Sequence, residues 1–77
     1  MVMGQQIRAA RALLGWEQKQ LASAARVSVE TVSRLERTRG PVSAYTGTME
    51  SITKALEAAG VEFTNDDAPG VRLWQSR

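Results

Sequence analysis

Between Ser28 and Arg39 the chain carries a series of side chains suited to hydrogen bonding with a polyanion and with the edges of bases. Val29, Glu30, Ser33 and Arg34 fall at i, i+1, i+4 and i+5, one face of a helix, while Val32 and Leu35 fall on the opposite face. An arginine can grip guanine through O6 and N7, a glutamate can accept from cytosine N4, and a valine can meet the methyl of thymine. Glu30 and Arg34 are also four residues apart, so an intrahelical ion pair competes with any outside partner. Other chemistry is poorly supplied. The 77 residues include no cysteine and no histidine. That removes disulfides, thiolate metal sites, the usual general base and the commonest metal ligand. The carboxylates are scattered over segments that read as helix surface, whereas catalysis needs a constellation of groups in a cleft. The sequence therefore reads as a non-enzyme that needs no metal and no cofactor.

The element carrying those side chains has to be held by a second one. Leu21, Ala22 and Ala25 make the apolar face of a short preceding helix, and Arg26-Val27 carries the chain around to the next. Ser28 is a favourable N-cap for the helix that follows, with Thr31 a weak stand-in for the third residue of a capping box. Two helices joined by a three- to four-residue turn need a small residue where they touch and an apolar one at the corner. Ala22 and Val27 meet those needs. Upstream, Ile7, Ala10 and Leu14 mark a first helix from Gly4 to Leu14, and Gly15 ends it. Trp16 reads as a cover for the corner of the core. Downstream, Arg37-Thr-Arg-Gly-Pro-Val-Ser is a loop by composition. A further helix begins near Thr46–Thr48 and runs to Ala59, with Met49, Ile52, Leu56 and Ala59 inward and Gly60 as its end.

The pattern Gln18-x-x-Leu21-Ala22-x-x-Ala25-x-Val27-Ser28-x-x-Thr31-Val32-Ser33-Arg34-Leu35-Glu36 resembles the helix-turn-helix of the lambda-repressor-like (Cro/Xre-type) family. The likeness spans positions 18 to 36 with the family's spacing. Two positions depart from it. Arg26 stands where the family usually has Gly, and Glu17 where it usually has Ser. A left-handed Arg would cost about 1–2 kcal/mol, and a turn of another kind would avoid it. The resemblance implies a mainly α fold, a compact four-helix domain over residues 1–60. It implies that Ser28, Val29, Glu30, Ser33 and Arg34 read bases in the major groove. It places Gln18, Thr31, Arg37 and Arg39 on the sugar-phosphate backbone. It also pairs Arg11, on the inner side of the first helix, with Glu36.

Residues 61–77 change character. Val61-Glu-Phe and Val71-Arg-Leu-Trp alternate as short strands around a turn-rich loop, a β-hairpin. Val61, Phe63, Val71, Leu73 and Trp74 share its apolar side, and a lone hairpin is marginal in water. One reading makes this tail the dimerisation element. The other folds it back on its own subunit and leaves dimerisation to the last helix or to DNA. A chain this short buries only about 60% of its unfolded surface, which favours self-association. Charge is divided in the same way. Up to Gly40 there are seven basic residues and three acidic ones; from Pro41 there are three basic and five acidic. A basic front suits a polyanion and an acidic back suits a separate association face.

The functional expectation is a sequence-specific regulator of transcription that binds double-stranded DNA. Two recognition helices about 34 Å apart in a homodimer would read an inverted repeat, as a repressor or autoregulator. The alternative is a protein-binding module of the same shape, such as an antitoxin or anti-regulator, with an unknown protein partner. No apolar run approaches the roughly 20 residues of a membrane span, and the start lacks the charge pattern of a signal peptide. A cytoplasmic, nucleoid-associated location is expected.

Overall fold

The first two helices each end on a left-handed residue, and the turns that follow set the course of the first half of the chain. Structure is described here for residues 2–38, 46–65 and 67–73 of a computed structural model. Helix α1 runs Gly4–Leu14, α2 Gln18–Ala25, α3 Val29–Arg37 and α4 Thr46–Ala58, followed by strands β1, Val61–Thr64, and β2, Gly70–Leu73. Gly15 closes α1 at φ 70°, with its N–H on the Ala12 carbonyl and the Trp16 N–H on the Arg11 carbonyl. Arg26 closes α2 in the same way at φ 60°, ψ 44°, with bonds from Arg26 to Ser23 and from Val27 to Ala22. Both are Schellman ends, which satisfy carbonyls that would otherwise be orphaned. The turn at Arg26 therefore does take the left-handed conformation, for which glycine is the usual residue.

The helix starts are made differently from one another. Ser28 caps α3 through its own hydroxyl, which accepts the Thr31 N–H at 3.1 Å. At α1 and α2 the third residue of the helix does the work. Gln6 Oε1 accepts the Met3 N–H at 2.8 Å, and Gln20 Oε1 accepts the Glu17 N–H at 2.7 Å. The side chain of Glu17 does not cap α2. Half of a capping box is thus present where the N-cap residue itself contributes nothing.

One core joins all the elements. Ile7 and Ala10 of α1, Leu21, Ala22 and Ala25 of α2, Val32 and Leu35 of α3, and Met49, Ile52 and Leu56 of α4 are buried together with Val61 of β1. Each fully buried Ile or Leu contributes about 1.5–3 kcal/mol through apolar area removed from water. Trp16 and Val27 are half-buried against this core at the two turns. Gly4 seats the start of α1 on the end of α3. A Cβ there would lie 2.1 Å from the Leu35 carbonyl oxygen and 2.9 Å from that of Thr38. Only glycine permits the approach, and it sets the positive end of one helix dipole by the negative end of another.

The strands pair antiparallel, with Val61 opposite Leu73, Glu62 opposite Arg72, Phe63 opposite Val71 and Thr64 opposite Gly70. This register puts Val61, Phe63, Val71 and Leu73 on one face, and that face packs on the helical core of its own chain. The amide of Gln6, nearly fully buried, fastens the hairpin by donating to the carbonyls of Gly70 at 2.9 Å and Thr64 at 3.3 Å.

Candidate nucleic-acid interface

Helix α3 is built with two sides. Val32, Leu35 and Glu36 are buried, while Ser28, Val29, Glu30, Arg34 and Arg37 are exposed and Thr31 and Ser33 are half-buried. Val29 is 43% exposed, an apolar side chain held out in water near the start of the helix. The hydroxyl of Thr31 lies 2.8 Å from that of Ser28, so these two residues belong to one cap. Ser33 accepts from Arg37 Nη1 at 3.0 Å. The two chemical types on the outer face are therefore a polar start and a basic end, which also suits the helix dipole.

The inner anchor is a charge cluster. Arg11 donates from Nε to Glu36 Oε2 at 2.7 Å and from Nη2 to Oε1 at 3.0 Å, a two-bond fork. Its Nη1 donates to the Trp16 carbonyl at 2.8 Å, which ties the α1–α2 turn to the same group. Gln18 Nε2 adds a third bond to the carboxylate, at 3.0 Å to Oε1. Glu36 is 4% exposed and Arg11 18%. A charge removed from water to that degree is tolerable only when paired and hydrogen-bonded. Among the described residues no buried side-chain nitrogen or oxygen lacks a partner. The guanidinium of Arg11 is held above its usual pKa, chiefly by the bond to Glu36, with the carboxylate's charge assisting and burial opposing. That contribution to stability is complete below the ordinary guanidinium range and is lost only as pH rises through the raised value.

The residues singled out in the sequence thus fall into three groups. Gln18, Ser33 and Arg37 line one open cleft of about 260 Å³ together with Arg8, Arg11 and Glu36. Ser28, Val29, Glu30 and Thr31 cluster at the start of α3, and Arg34 lies on its exposed side. Val61, Phe63, Val71 and Leu73 stand apart on the hairpin face. Arg39 and Trp74 lie outside the described residues. Two residues escaped the sequence reading, Arg8 in this cleft and Gln6 at the hairpin. Arg8 carries a usable signal, a basic residue one turn before Arg11 on the same helix. Gln6 carries none beyond its place at the third position of α1.

A family profile described as "Helix-turn-helix domain" matches residues 2–64. The chain belongs to this helix-turn-helix domain family. The match takes in all four helices of the helix-turn-helix domain and the first strand of its hairpin. No curated protein matches the chain. Among the described residues of this helix-turn-helix domain, no helix is long and apolar enough to cross a membrane.

Proposed function

We propose that this helix-turn-helix protein, of the lambda-repressor-like (Cro/Xre) type, binds double-stranded DNA sequence-specifically and regulates transcription as a homodimer on an inverted-repeat operator, as a repressor or autoregulator. One observation carries the reading. The inner face of α3 is fixed to the core by Val32, Leu35 and the Arg11–Glu36 fork, so its outer side chains leave the surface at set angles. Base reading needs such a rigid helix, because bidentate contacts tolerate little error in position. In this reading Ser28, Val29, Glu30, Ser33 and Arg34 face base edges, while Gln18, Thr31, Arg37 and Arg39 hold phosphates. The second N–H of the Gln18 amide remains for that purpose after its bond to Glu36. The domain over residues 1–60 reads DNA and the hairpin supplies dimer contacts, where Phe63, Val71 and Leu73 stay half-exposed. The protein works in the cytoplasm, at the nucleoid.

Selection of duplexes from a random pool by the purified full chain tests this. An enriched inverted repeat is expected, together with a loss of about 1–3 kcal/mol and relaxed preference at one base pair per half-site in Arg34→Ala. A pool that stays random through selection would overturn the reading.

A further inference from the structure

Arg8 has no role in the arrangement above, yet its surroundings are unusual. It lines the cleft shared with Gln18, Ser33 and Arg37, and it also lines an adjoining cleft of about 520 Å³ with Gln5, Glu36, Arg37 and Thr38. The two hollows share Arg8, Glu36 and Arg37, so together they form one trench between α1 and the last turn of α3. The carboxylate at its floor is spent. Glu36 accepts two bonds from Arg11 and one from Gln18 and is buried. Among the described residues, no ion pair includes Arg8 or Arg37. The trench therefore carries two exposed guanidinium groups above a neutralised carboxylate, with amide and hydroxyl donors beside them. A guanidinium with no carboxylate partner is suited to a phosphate, which takes its planar fork through two oxygens.

We propose that Arg8 and Arg37 clamp a backbone phosphate of the duplex in this trench, which extends the DNA footprint from α2 and α3 onto α1. The inference rests on the DNA-binding reading and adds a site to it. The trench takes in Gln18 at the start of α2 and Ser33 of α3, so a strand passing Gln18 runs on toward Arg8. The contact is blind to sequence, because phosphates are the same at every base pair.

The test uses random-sequence duplex and the full chain, with affinity measured across a salt series. Arg8→Gln is compared with Arg72→Gln, which removes the same charge from the exposed side of the hairpin. Each phosphate contact contributes about 0.9 to the slope of log affinity against log salt. Arg8→Gln is expected to lower the slope by about one unit, so wild type loses roughly threefold more affinity than the variant between about 50 and 200 mM salt. Arg72→Gln is expected to keep the wild-type slope. Equal slopes for Arg8→Gln and wild type, or equal drops in both variants, would overturn the clamp while leaving selection of an inverted repeat intact. A wild-type protein that binds no duplex would overturn the clamp and the DNA reading together. Titration with inorganic phosphate alone, followed by the NMR signals of the arginine Nε–H groups, separates the two sources of phosphate. Saturable shifts at Arg8 without any slope change on DNA would mark a small-anion site in place of the clamp.

Discussion

Two Arg–Glu pairs with nearly equal closest approaches sit in different surroundings and are expected to behave very differently. Arg11 meets Glu36 at 2.7 Å between α1 and α3, and Arg72 meets Glu62 at 2.8 Å across the hairpin. The first pair is 18% and 4% exposed, the second 64% and 42%. Distance does not separate them; water does. An exposed pair exchanges one set of hydrogen bonds for another and is screened by salt. A buried carboxylate has no water to fall back on, so the loss of its partner leaves a charge stranded in the core. The buried pair also holds a helix that faces outward, whereas the exposed pair only decorates a strand register already set by apolar packing.

Arg11→Ala is the strongest way to break this contrast. It is expected to destabilise the fold by about 3–5 kcal/mol, read by chemical denaturation, because Glu36 keeps only the bond from Gln18. Joint replacement by Arg11→Met and Glu36→Leu should recover much of that loss, since two apolar side chains leave no stranded charge. A loss within about 0.5 kcal/mol for Arg11→Ala, typical of a surface site, would place the pair with its exposed counterpart.

Gly4→Ala attacks the same junction without touching charge. Its new methyl group would collide with the Leu35 carbonyl and push α1 off the end of α3. A loss of about 1–3 kcal/mol is expected from such overpacking, visible as a lower melting temperature. Unchanged melting would mean the two helices separate at no cost.

Arg26→Gly sharpens the comparison from the other direction. It relieves a left-handed arginine worth about 1–2 kcal/mol and gives back part through a freer unfolded chain. The net gain, about 0.5–1 kcal/mol, would supply a sturdier background in which the Arg11 variants can be measured while still folded. Destabilisation instead would show that the Arg26 side chain makes up for its backbone.

Arg72→Ala is the smallest change. It is expected to shift stability by no more than about 0.5 kcal/mol, with that difference vanishing at high salt. An effect that approached that of Arg11→Ala would remove the distinction drawn from burial.

The helices were legible in the sequence because their causes are local. Inward stripes recur at three- and four-residue spacing in α1 to α4, Gly15 and Gly60 fall just past helix ends, and Ser28 precedes its helix as a cap should. The alternation of Val61, Phe63, Val71 and Leu73 likewise foretold one apolar strand face. Tertiary structure alone decided what those faces meet. It turned the hairpin's apolar side onto its own helices and spent the Gln6 amide on carbonyls 58 and 64 residues away. It placed Gln18 on Glu36, drew Arg8 and Arg37 to the two walls of one trench, and forced Arg26 into a glycine-like turn. Each of these outcomes depends on a partner far along the chain. A periodic pattern specifies which side of an element is buried, while the identity of the group waiting there is settled only when the elements pack.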